Sequence, residues 1–167
     1  MSPQTMTEKD QFIAAWDREY ETTRRILDAY PAGKDDFKPA EKSRTARELA
    51  WIFIMEEKVI DSALKGAIEF TSPPPPPQVP VSEIIRMYES AHREHLAGVK
   101  AAPPEAFDRT VKFPVGPKQM SDVRTGQVAW MMLMDAIHHR GQFSVYLRMV
   151  GAKVPSIYGP TADEPWK

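Results

Sequence analysis

Asp135 and His139 stand four residues apart in the apolar run VAWMMLMDAIHHRGQFSVYLRMV, residues 128–150. At helical spacing they share one face. That face continues through Val128, Met132, Gln142 and Tyr146, a mostly apolar stripe interrupted by a carboxylate, an imidazole and an amide. Such groups are costly to bury without partners. Three arrangements would satisfy them: a divalent metal, a pair formed by Asp135 and His139 themselves, or polar groups on facing helices. Carboxylate and imidazole both serve as ligands for zinc, nickel, iron or manganese. Two donors on one helix make a labile site, so Glu56, His92, His95 or water would have to complete it. Gln142 is the best placed residue to orient a ligand by hydrogen bonding. His138 points about 100° away from His139, toward a neighbouring helix or the surface. Arg140 lies further round, in reach of the C-terminal tail.

Four amphipathic segments are available to position these residues. Phe12, Trp16, Tyr20, Thr23, Leu27 and Tyr30 recur at helical spacing between acidic and basic residues, from a start near Thr7 to a stop at Pro31 and Gly33. A second helix follows Ser43 as N-cap, with Leu49, Ile52, Phe53, Ile60 and Leu64 as its apolar stripe and Glu56 near the buried side. SPPPPPQVP, residues 72–80, excludes helix and central strand and predicts an extended polyproline segment along the body of the molecule. The third helix starts at Ser82 and ends before Pro103, with His92 and His95 on its half-exposed shoulder. Residues 105–122 read as a looser connector, with a short extended piece at 111–113. The fourth helix runs to Met149 and Gly151. In the tail, Val154, Ile157, Tyr158 and Trp166 offer docking points. The pattern predicts one domain over residues 1–167, an all-α four-helix bundle with connectors at 31–43, 69–81 and 103–121 and with helices one and four longest.

Composition narrows the function classes. The 167 residues carry 22 basic and 23 acidic side chains, a formal net charge of -1, with no attraction to nucleic acid or an anionic membrane surface. Without cysteine there is no disulfide and no thiolate of the chain's own, so any thiol must arrive with a ligand. No apolar run reaches membrane-spanning length and the N-terminus lacks a signal-like core, which predicts a cytoplasmic protein. The aromatic content of helix one and the cluster Trp130, Met131, Leu133, Met134 exceed the needs of one stripe, which predicts a homodimer.

RTARELAW at 44–51 and IHHRGQFSVYLRMVGAKVPSIYGPTADEP at 137–165 resemble the DinB-like superfamily of four-helix bundles, over nearly the whole chain. The resemblance implies that fold, frequent dimers, and a divalent metal, often zinc or nickel, held by three histidines. One of these follows the LAW segment of helix two, and two stand at i, i+4 on helix four. Here those positions hold Ile52, Asp135 and His139, so the triad is degenerate and the implied zinc or nickel site weak or absent. Characterised relatives include transferases and isomerases that use low-molecular-weight thiols. The expectation is therefore a DinB-like protein of unassigned activity, with Asp135 and His139, and Glu56 as a possible addition, at a degenerate metal site. A metal-dependent thiol transferase or isomerase and a metal-free small-molecule-binding or stress-response protein are its rivals.

Overall fold

A computed structural model of the chain describes residues 6–68 and 74–166. The expected disordered lead over 1–7 and the connector over 69–81 thus fall partly outside the described residues. Four helices, α1 (Glu8–Asp28), α2 (Ala46–Leu64), α3 (Val81–Ala101) and α4 (Thr125–Met149), form the all-α bundle. At 21 residues α3 equals α1, and α4 is longest at 25.

The helix ends follow from local chemistry. Thr7 caps α1 in a reciprocal box with Asp10. The cap of α2 is Thr45, paired with Glu48, and not Ser43. Moving the start by two residues supplies the acidic partner that the Ser43 frame lacks. No side chain caps α3, where the Val81 amide donates instead to Asp35 Oδ1 at 2.6 Å. At the other end of α3, the Lys9 ammonium donates to the carbonyls of Lys100, at 2.9 Å, and Ala102. A cation there satisfies carbonyls that no longer have a helical partner.

The α3–α4 connection is more ordered than expected. After a 3-10 turn at Pro104–Phe107, β1 (Thr110–Gly116) pairs antiparallel with β2 (Gln119–Arg124), with Lys118 at φ 58° in the turn. Pro114 sits in β1 next to a bulge, where a missing N–H is tolerated. Val111, Phe113 and Val123 pack with Ala63 and Val128, so the hairpin covers one end of the bundle.

The main core draws on all four helices, through residues such as Ile26, Leu49, Phe53, Ile84, Phe143 and Leu147. Phe12, Trp16, Ile60, Phe107 and Leu133 form a second cluster toward the hairpin end. The proline segment is fastened along α2, with Trp51 Nε1 donating to Pro74 O at 3.0 Å and Arg47 Nε to Val79 O at 2.9 Å. The tail docks through buried Val154 and through Asp163, which accepts from the Val154 amide at 2.8 Å and pairs with Arg148. Trp166 is not a docking point: it is 73% exposed.

Candidate metal centre and the polar core around it

Because α2 packs between α3 and α4, two neighbouring positions on it both face inward. Glu56 turns toward α4 and Glu57 toward α3, and both are buried. Glu56 Oε1 lies 2.6 Å from His139 Nδ1. Asp135 Oδ1 lies 3.8 Å from the same nitrogen. The two helix-four residues are therefore not each other's main partner, and His139 bonds first to Glu56. Asp135 is not buried either, since its side chain is 48% exposed and opens the site to solvent.

One donor atom from each of Glu56, Asp135 and His139 falls within 4.8 Å of the others. Among the described residues this is the one group of three or more His, Asp or Glu side chains so placed. Glu56 Oε2 is buried and has no hydrogen-bond partner. An orphaned buried carboxylate oxygen beside a second carboxylate and an imidazole suits a divalent cation, and two oxygens with one nitrogen fit zinc, iron or manganese. The donors present therefore fit a metal, provided the proton between Glu56 and His139 leaves.

Electrostatics of the pair favour keeping that proton. Burial is the largest influence on Glu56 and outweighs the pull of His139, pushing its carboxyl up to about 7. Burial works against the His139 imidazolium, but the hydrogen bond and charge of Glu56, with help from Asp135, raise it above the ordinary histidine range.

Ile52 is half-buried and packs against the main core. Gln142 does not orient His139. It is exposed, and its Nε2 lies 2.8 Å from His138 Nε2, so these two surface residues of α4 satisfy each other. Nor are His92 and His95 half-exposed. They are 3% and 8% exposed, because the opposing Glu57 accepts from both rings, at 2.6 and 3.4 Å from their Nδ1 atoms. His92 stacks on Tyr20 with ring centroids 3.7 Å apart, and its buried Nε2, which has no hydrogen-bond partner, faces Asp17 Oδ1 at 3.5 Å.

Glu57 was not singled out from the sequence, although it lies four residues after Phe53 and three before Ile60, on the apolar stripe itself. The second omission is Glu19, which looks like part of a wet helix face. It is buried and pairs with Arg140 Nη2 at 2.8 Å, while the Tyr158 hydroxyl donates to it at 2.7 Å. Burial tends to raise the Glu19 carboxyl, but Tyr158 and Arg140 together hold it below the usual range.

Comparison with known proteins gives a consistent outcome. The sequence profile of the DinB family matches residues 1–166. An uncharacterized protein of Bacillus subtilis, YrdA, is 26% identical over 157 residues, covering 93% of this chain and 90% of its own. A DinB-like protein from Bacillus cereus superposes with a TM-score of 0.74 at 21% identity, over 88% of this chain and 95% of that one. The DinB-like protein YjoA of Bacillus subtilis gives 0.70 at 19% identity, over 88% and 97%. At such identities these two structures speak for the fold alone.

Proposed function

Because this chain belongs to the DinB family, we propose that Glu56, Asp135 and His139 hold one divalent cation at a solvent-facing site between α2 and α4. The observation that carries this reading is the buried, unpartnered Oε2 of Glu56 beside the two helix-four donors. Glu56 takes the helix-two role one turn beyond Ile52, so the site keeps one ligand from α2 and two from α4. When bound, such a cation supplies Lewis acidity, which lowers the pKa of a water or thiol held against it. Asp135, the exposed ligand, faces the side from which a small molecule would arrive. The finer reading is a cytoplasmic transferase or isomerase acting on a low-molecular-weight thiol, whose sulfur the ligand must bring because the chain has no cysteine.

Calorimetry tests the centre. Zinc, nickel and manganese titrated into chelator-stripped protein should bind one-to-one for at least one metal, and Asp135→Ala should weaken binding by at least about tenfold, or about 1.4 kcal/mol. Because Asp135 is half exposed, the metal-free variant should unfold at the parental temperature. No stoichiometric binding of any of the three, or binding indifferent to Asp135→Ala, overturns the assignment.

A homodimer is part of the same proposal, on a narrower basis than helix-one aromatics. Phe12, Trp16 and Tyr20 are buried within the bundle, and Trp130 meets Phe12 edge-on at 5.3 Å. What stays uncovered is an outer face of α4 bearing Met134, Val145 and Met149, each more than half exposed. Light scattering should give twice the chain mass of 18.9 kDa, and Val145→Glu should return the protein to that single-chain mass. A parent that scatters as a monomer at micromolar concentration removes the dimer from the proposal.

A further inference from the structure

Arg44 opens the RTARELAW motif, and its exposed side chain is neither a ligand of the centre nor part of the core, though its charge reaches His139. With Lys42 and Ser43 on the α1–α2 connector, it faces Gln142, Val145 and Tyr146 of α4 across an open pocket of about 660 Å3. That volume lies within the range of small-molecule sites. Gln142 and Tyr146 continue the α4 face that carries Asp135 and His139, so the pocket begins about 5 Å along the helix from His139 and runs to about 10 Å. The Tyr146 hydroxyl donates to the Arg44 carbonyl at 2.7 Å and pins the connector against α4, which sets the distance between the two walls.

Among the described residues, neither Lys42 nor Arg44 makes a side-chain hydrogen bond or an ion pair. Glu48, the acid nearest along the chain on α2, is committed to the Thr45 amide at 2.7 Å in the capping box. Two cations without an ion-pair partner thus line one pocket in a chain whose formal net charge is -1. An arginine fork and a lysine point charge match the oxygens of a carboxylate or phosphate.

We propose that this pocket binds the anionic end of a small molecule, a carboxylate or phosphate held by Lys42 and Arg44, and directs its other end toward Glu56, Asp135 and His139. Only the second half of that statement rests on the proposed metal centre.

The test uses the 15N-labelled full chain, with succinate and inorganic phosphate titrated separately at constant ionic strength and metal-free. The expected result is saturable amide shifts confined to residues 39–44 and 142–146 with at least one probe. A response to succinate alone assigns a carboxylate, and one to phosphate alone assigns a phosphate. Lys42→Glu with Arg44→Glu should weaken that binding at least about tenfold. Both residues are exposed, so the variant should unfold with the parent. No saturable shift with either probe, or shifts unchanged in the double variant, overturns the proposal. If the parent binds none of zinc, nickel and manganese yet shows charge-dependent shifts, the metal reading fails and the anion pocket stands.

Discussion

Arg140→Ala should lower the free energy of unfolding by about 3–5 kcal/mol, the usual cost of stranding one member of a buried ion pair. Arg140 is 1% exposed, and its guanidinium bonds the Glu19 carboxylate at 2.8 Å, the Glu19 carbonyl at 3.2 Å and the Tyr158 hydroxyl at 2.6 Å. Removing it leaves the buried Glu19 carboxylate without its buried cation, held only by the Tyr158 hydroxyl at 2.7 Å and the largely exposed Arg18 at 3.4 Å. It also takes one of the two bonds that fasten the tail at Tyr158. For a chain of this size the loss corresponds to a fall of about 10 °C in Tm. The double variant Arg140→Met, Glu19→Leu should recover most of it, because the penalty comes from the stranded charge and not from absence of the pair. Thermal melts decide the matter: an Arg140→Ala protein unfolding within a degree or two of the parent contradicts this account.

In metal-free protein, stability should fall as pH rises from about 5 to about 8, and Glu56→Gln should remove most of that slope. The Glu56 carboxyl moves from 4.5 when unfolded to about 7 when folded, so the folded chain binds its proton more tightly than the unfolded chain does. Its contribution is fully present below 4.5 and is lost as pH rises toward about 7. His139, raised above 6.5, acts in the same direction: its contribution is complete below 6.5 and disappears through a higher folded value. At about 1.4 kcal/mol per pKa unit, Glu56 alone makes the difference about 3 kcal/mol. Urea melts of parent and Glu56→Gln across this window give the comparison, which cancels carboxylates common to both. Parallel curves would mean that Glu56 ionises without hindrance.

The bundle was legible because apolar stripes of period 3.6 recur four times and proline or glycine punctuates each. Of the hairpin only the extended piece at 111–113 was legible, since Pro114, Gly116 and Pro117 read as a breaker and Val123 stands beyond them. The site was legible in part. Spacing singled out His139 and Asp135, and proximity to the apolar stripe singled out Glu56. Exposure was harder to read: helical phase alone gave Asp135 and Gln142 to the interior, whereas both stand at the rim where the packed stripe meets solvent. Glu19, His92 and His95 carry ordinary surface chemistry when each helix is read alone, while Glu57 stands on the apolar stripe of α2 itself. They are buried because their partners come from other helices, Arg140 for Glu19 and Glu57 for the two histidines. Such pairing is a property of two segments at once, and single-helix periodicity contains no term for it.

The adjacent residues His139 and Arg140 bond in different directions, one to Glu56 on α2 and the other to Glu19 on α1. A helix with apolar side chains on every side, as α4 has from Val128 to Met134, feels little preference for one azimuth over another in an oily interior. Charges about 100° apart around the axis, each with a single fixed partner, remove that degeneracy as two keyways fix a shaft. A rotation or a one-residue slide of α4 would break both contacts at once. The polar groups inside this bundle thereby set the angular phase of the helix that carries Asp135 and His139, a quantity that its apolar side chains leave undetermined.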